Sequence, residues 1–229
     1  GANRTGRWAG RLVQVQNLPQ NKIEGADLDL ARLLARAGAA DDLEQFYGNV
    51  PDTLSWLIRT AFVASEGNTL LPCDASAIEA RIIAWLAGEQ WRLEVFRTHG
   101  KIYEASASQM FKVPLEQIGK GSPLRQKGKI AELALGYGGG IGALTTMGAL
   151  KMGLTESDLQ PLVDAWREAN PAITRLWRTV EAAAIKAVET GMPQTIQHGL
   201  QFQCKKGVLF IQLPSGRTLS YMRPKLQEN

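Results

Sequence analysis

Arg125, Lys129, Leu133 and Tyr137 recur at every fourth residue of the stretch RQKGKIAELALGY. On a helix running from Arg125 to Tyr137, that spacing lays two cations, an apolar platform and an aromatic ring along one slowly drifting stripe. With a rise of about 1.5 Å per residue, neighbours in the stripe stand about 6 Å apart, close to the separation of the phosphates and base of one nucleotide. The basic end could grip a triphosphate and the aromatic end could stack a base, so the stripe reads as a nucleotide-binding face. The same spacing also suits a solvated amphipathic helix with Arg and Lys on its wet side and Leu on its dry side. Two neighbouring features favour the first reading. Lys120, Arg125, Lys127 and Lys129 fall within ten positions with no acid until Glu132, and the helix runs into the glycine-rich exit GYGGGIG. A dinucleotide-binding glycine loop lies between a strand and the helix that follows it. Here the glycines come after a helix, so they are read as ending it and letting another chain approach closely.

A second stretch, Leu70 to Gly88 (LLPCDASAIEARIIAWLAG), places a carboxylate where a metal could be held. Its short apolar start reads as a strand. Ile78, Ile82, Trp85 and Leu86 then share one helical face, so Asp74 would be delivered to the mouth of a helix. Helix N-termini favour negative charge, which leaves Asp74 readable either as a metal ligand or as a simple cap. Glu79, one turn on, would line the same mouth or serve as a solvated surface charge.

The elements that must position these residues follow from composition and periodicity. At 229 residues and 45% hydrophobic, the chain can bury one good core or two lobes sharing one. A net charge of +4 permits a polyanionic partner without requiring one. Cys73 and Cys204 have no motif spacing, and with only His99 and His198 beside them they make no zinc pattern. No apolar run approaches membrane-spanning length and the start resembles no signal peptide, so a soluble, cytoplasmic protein is expected, in the host cytoplasm if the source is viral. Arg4, Arg7 and Arg11 lie on a glycine-broken segment that reads as an extended strap able to reach phosphates, or as a flexible terminus. Helical periodicity marks Asp27 to Ala37, Asp41 to Phe46 and Val50 to Phe62 as packing elements, and a long helical stretch is expected over Glu156 to Thr190. Three β-like runs follow at Gln197 to Gln203, Gly207 to Leu213 and Arg217 to Met222.

Read together, the motifs resemble the family A DNA polymerases. DASAIEARIIAWLAG is similar to the family's first polymerase motif, Asp-x-Ser-x-Ile-Glu-x-Arg running into an apolar helix. The Arg125 stripe is similar to its fingers helix, with Leu133 where Phe is usual. TGR at Thr5 to Arg7, QNLP at Gln16 to Pro19, IRTAF at Ile58 to Phe62 and ASASQMF at Ala105 to Phe111 match further segments in the family's order. The resemblance covers most of residues 1 to 190. The tight TGRWAGR spacing, a helical insertion around residues 21 to 53 and the GKIAELALGYGGG wording look most like the bacteriophage-type branch.

The resemblance implies a template-directed DNA polymerase that joins dNTPs to a primer 3′-hydroxyl by a two-metal mechanism. Asp74 would bind Mg2+ and serve as the catalytic carboxylate. Arg125 and Lys129 would hold the triphosphate, Leu133 would pack on the base and sugar, and Tyr103 would touch a phosphate. Glu79 would sit under the sugar and exclude a 2′-hydroxyl. Tyr137 would stack at the template position with Gly138 leaving room beside it, and Arg7, Gln16 and Asn17 would touch the primer–template duplex. The family's third motif, His-Asp-Glu, supplies the second metal-binding carboxylate and does not occur here. The chain is therefore expected to be a piece of a larger polymerase with little or no activity of its own. Asp164, Glu168 and Glu104 are read as surface charges in preference to substitute ligands.

The expected architecture is α+β: a mostly helical fingers subdomain inserted in a partial palm with a small antiparallel sheet. Residues 1–89 and 191–229 would supply palm parts and 90–190 the fingers, with Leu70 to Cys73 joining the sheet. Two alternatives stand beside this reading. One is a non-catalytic DNA-binding or replication-accessory domain with a polymerase-like fold, and the other is a single-subunit RNA polymerase, against which Glu79 argues.

Overall fold

Short helices punctuated by glycine dominate the chain, and only its last forty residues turn to strands. The computed structural model describes residues 14–227. The chain divides into two compact units, Gly1–Asp74 and Ala75–Asn229, and the architecture is α+β.

In the first unit, α1 (Gly25–Ala37), α2 (Ala40–Tyr47) and α3 (Val50–Leu57) pack together. Gly38 closes α1 in the left-handed conformation, φ 68°, and donates its N–H back to Leu34 and Ala35. Asn49 opens α3 by accepting from the Asp52 N–H. The helix expected as far as Phe62 tightens at Ile58 into a 3-10 turn that ends at Ala61. Ile23, Ala31, Leu43 and Thr53 form the small buried centre. Arg59 ties the preceding segment down, its Nε and Nη2 donating to the Leu18 carbonyl at 2.9 and 2.6 Å.

The second unit carries α4 (Ile78–Ala87), α5 (Gln90–Thr98), α6 (Ile102–Phe111), α7 (Pro123–Leu135), α8 (Ile141–Thr146), α9 (Glu156–Ala169) and α10 (Pro171–Thr190). Its main core joins Ile130, Ala134 and Leu135 of α7 to Leu159, Val163 and Trp166 of α9 and to Ile173 of α10. A second cluster sets Ala183 and Ala187 of α10 against Phe202 and Leu209 of the sheet. The sheet is antiparallel with order β1 (Gln194–Thr195), β2 (Gln201–Lys205), β3 (Val208–Gln212) and β4 (Thr218–Met222). Gln197–Gly199, expected to open a strand, is a 3-10 turn around His198 at φ 55°. That turn serves α4: the His198 ring packs at a tilt against Trp85, centroids 4.3 Å apart, and Gln197 Nε2 donates to the Leu86 carbonyl at 3.0 Å.

Three expectations need correction. Leu70 to Cys73 is not a strand; it is irregular and exposed, and the sheet is built without it. The helical stretch from Glu156 to Thr190 is two helices, broken at Asn170, whose ψ of 59° precedes Pro171. The break is held by Glu89, which accepts from the Ala172 and Ile173 N–H groups at 2.8 and 3.3 Å and so satisfies two donors of the new helix start. Third, α7 ends at Leu135, so Tyr137 lies beyond it, on a turn closed by the Gly138 N–H to the Leu135 carbonyl at 3.0 Å. Among the described residues, no helix is long and apolar enough to cross a membrane.

The packing of α6 against α7 depends on Gly128. A Cβ at that position would overlap the Tyr103 carbonyl oxygen and come within 3.0 Å of the Ala107 Cβ. Ala is the better helix former by about 1 kcal/mol, but overpacking of a fitted contact costs about 1–3 kcal/mol, and a backbone carbonyl has little room to yield. Gly128→Ala is therefore expected to lower the unfolding free energy in urea titration, and a gain in stability would show that the two helices are not in contact there.

Candidate nucleotide-binding site

The direction in which α7 faces decides what the site can do. An amphipathic helix would turn Leu133 inward and Glu132 outward; α7 does the reverse. Glu132 is 6% exposed and Leu133 is 42% exposed. Glu132 is drawn inward by donors on three other helices. Its Oε1 accepts from Arg92 Nη1 of α5 at 2.8 Å, Ser106 Oγ of α6 at 2.8 Å and Trp166 Nε1 of α9 at 3.0 Å. Its Oε2 accepts from Arg92 Nη2. Arg92 Nη1 also donates to Asn170 Oδ1 at 2.9 Å, and Asn170 Nδ2 donates to the Trp166 carbonyl at 2.7 Å. The guanidinium carbon lies 5.3 Å from the Trp91 ring centre and 5.8 Å from that of Trp166, and Arg92 Nε alone among the buried side-chain donors of the described residues has no partner.

With Glu132 turned in, Leu133 faces a cavity of about 340 Å³ shared with α4. Ile78, Ile82 and Ile83 make its apolar wall, and Glu79, Tyr103, Leu133 and Tyr137 all line it. Four residues singled out from sequence thus meet at one place. Glu79 stands exposed on the first turn of α4, beyond Ala77, which adopts φ 51° at the helix mouth. Tyr137 is 70% exposed. The glycine exit is required on steric grounds: Gly138 has φ 80°, and a Cβ on Gly139 would overlap the Ala134 carbonyl oxygen.

Arg125 lies at the opposite end of α7 from Tyr137. Its Nε donates to Glu104 Oε1 at 2.6 Å and its guanidinium sits 5.6 Å from the centre of the Tyr103 ring. Glu104, read from sequence as a surface charge, is instead half-buried and paired. Burial by itself would raise its carboxyl, but the Arg125 hydrogen bond, the backbone and the charges of Arg125 and Lys101 outweigh that and hold it below the ordinary value. Lys129, one turn on, is half-buried, and among the described residues it makes no hydrogen bond or ion pair with a side chain.

The remaining expected residues lie elsewhere. Asp74 is exposed at the end of the first unit and does not cap α4, which has no side-chain cap. Gln16 and Asn17 sit on an exposed 3-10 turn, bonding only to Gln14 at 3.5 and 2.8 Å through their side chains. Arg7 lies outside the described residues. Among the described residues no group of three or more His, Cys, Asp or Glu side chains is arranged to hold a metal ion. Arg92 was not anticipated at all. Its only sequence signal is an Arg on an otherwise apolar helix face, which does not name a partner forty positions away.

Comparison with known proteins bears on this geometry. Residues 3–198 match the model of DNA polymerase family A. A DNA polymerase of Bacillus phage SP02 is 67% identical over 227 residues, covering 99% of this chain and 35% of the relative. The DNA polymerase I of Pseudomonas aeruginosa is 32% identical over 140 residues, 61% of this chain and 14% of that protein. The thermostable DNA polymerase I of Thermus aquaticus is 30% identical over 132 residues, 56% of this chain and 15% of that protein. The chain spans about a third of the length of the phage relative and less of the bacterial ones.

Two outcomes follow from the charges. Leaving one buried charge alone costs about 3–5 kcal/mol, so Glu132→Ala should lower the urea midpoint sharply, and Arg92→Met combined with Glu132→Leu should recover part of the loss; equal losses in both would refute the pairing. For Glu104 the folded value lies below the ordinary 4.5, so its stabilisation is complete above that pH and is lost as pH falls through the lowered value. A melting curve taken against pH should therefore show a shallower acid limb in Glu104→Gln.

Proposed function

The chain belongs to DNA polymerase family A, and on that footing we propose that it carries the nucleotide-binding face and one metal-binding carboxylate of a template-directed DNA polymerase. The observation that carries the proposal is the exchange at two positions of α7, with the Glu132 carboxylate locked inside and Leu133 presented to a cavity shared with Glu79, Tyr103 and Tyr137. A helix turned this way makes sense if Leu133 has a ligand to pack on.

In this reading the base and sugar of a dNTP lie against Leu133, with Glu79 beneath the sugar where it obstructs a 2′-hydroxyl. Arg125 and Lys129 hold the triphosphate, Arg125 through its planar fork and Lys129 as a compact charge, and Tyr103 reaches a phosphate. Negative charge that builds on the leaving pyrophosphate is met by those cations. Tyr137 stacks at the template position, Gly138 leaves space beside it, and Arg7, Gln16 and Asn17 touch the primer–template duplex. Asp74 is the metal ligand. A Mg2+ ion needs one or two carboxylates when phosphate oxygens and water complete its shell, so a single aspartate can serve as part of that shell. When bound, the metal would supply activation of the primer 3′-hydroxyl and charge neutralisation. Residues 90–190 correspond to fingers and residues 1–89 and 191–229 to palm parts. The remainder of a longer polymerase chain and a cytoplasmic setting belong to the same proposal, which the length and origin of the Bacillus phage relative support.

The test is Mg2+-dependent extension of a labelled primer–template by a polypeptide that includes this chain. Asp74→Asn should abolish extension. Arg125→Ala should raise the KM for every dNTP about ten- to a hundredfold, the range for loss of a charged hydrogen bond. Salt-sensitive duplex binding that is indifferent to Asp74, with no extension, would favour the accessory-domain reading instead.

A further inference from the structure

Next to the proposed triphosphate grip stands a carboxylate for which the reaction has no use. Glu104 of α6 accepts from Arg125 Nε, and the two side chains are only 13% and 22% exposed respectively. The contact uses Nε alone. Among the described residues neither Nη atom of Arg125 makes a hydrogen bond, so the guanidinium is tethered at its elbow with its fork still open, while the Tyr103 ring flanks it at 5.6 Å.

We propose that Glu104 is a resident counter-anion for Arg125 that weakens polyphosphate binding at this face, making it an affinity-setting residue of the nucleotide site. The inference rests on the reading of Arg125 and Lys129 as the triphosphate grip. A phosphate seated on the open fork would stand a few ångströms from the Glu104 carboxylate, and at a half-buried place solvent screens that repulsion poorly. The tether works in the other direction too, because it orders a long side chain in advance. The repulsion is the larger effect, since a triphosphate brings several charges while only one side chain is ordered. The site thereby holds both its substrate and a pyrophosphate product less tightly than its two cations alone would. The effect acts through phosphate and so is the same for all four bases.

Calorimetric titration of this chain with inorganic tripolyphosphate, pyrophosphate and each Mg·dNTP tests the inference. Glu104→Gln, which keeps the acceptor and removes the charge, should tighten all of them about three- to tenfold, with little difference among the four bases. Glu104→Ala should shift affinity in the same direction. In an Arg125→Ala background the Glu104→Gln gain should disappear. If the wild-type chain binds, Arg125→Ala weakens binding and Glu104→Gln is neutral or weaker, then Glu104 is an orienting group and this inference alone is overturned. If the wild-type chain binds none of these ligands, or binds them without regard to Arg125, the nucleotide reading of α7 falls and this inference falls with it.

Discussion

The burial of Glu132 against Arg92 is the interaction on which the second unit depends. A carboxylate and a guanidinium taken out of water together lose several kcal/mol of hydration each, and such a pair persists only where its remaining donors and acceptors are met. Here Ser106, Trp166 and Asn170 meet them. The result is a junction of four helices at one carboxylate, and it fixes the rotation of α7 about its own axis. Turning α7 by one residue would expose the pair at one end and bury Leu133 at the other.

From that rotation the rest of the site follows. Gly128 then faces α6 and permits the crossing that brings Tyr103 and Glu104 alongside Arg125. Gly139 folds back under the Ala134 carbonyl and leaves Tyr137 outside the helix and exposed. Glu89 and Trp91 come from the same α4–α5 segment as Arg92 and bind the α9–α10 break, so the helix that supplies the buried cation also anchors the element behind it. Position and support of the site are thus one network. Its unmet buried donor, Arg92 Nε, stands beside two indoles, neither of which offers it an acceptor.

Much of this was legible in the sequence where the signal is local. The fourfold spacing of Arg125, Lys129 and Leu133, the glycine exit, the apolar face of α4 and the alternation of the last strands each depend on near neighbours, and each forms the kind of element expected. The misses come from contacts made at long range. Glu132 reads as the acid that ends a basic run, and nothing near it announces Arg92, Ser106 and Trp166 as partners. Glu104 reads as a surface charge because its partner is 21 positions on. Asn170 reads as helix interior until its side chain is seen bonded to Arg92 and the Trp166 carbonyl. Leu70 to Cys73 is an apolar run, but a strand needs a partner edge, and among the described residues this segment pairs with none.

The polarity of the cavity divides the labour within the proposed site. Its lining is mostly apolar, from Ile78, Ile82, Ile83 and Leu86 of α4 and Leu133 of α7, and also includes Glu79, the two tyrosines and the paired Arg92 and Glu132. A base and sugar gain by entering such a space, since apolar area leaves water at about 25 cal/mol per Å². Phosphates would gain less by following, because the charged groups of the lining, Arg92 and Glu132, are already paired with each other and the rest of the wall is mostly apolar. On the proposed reading, the charged end of a nucleotide would stay at the N-terminal half of α7, where Arg125 and Lys129 lie outside the cavity lining. That half of the helix carries its cations without a buried acid on the same turn, and the C-terminal half carries its acid without an exposed cation. The segregation along one thirteen-residue helix would, on the same reading, orient a nucleotide along α7.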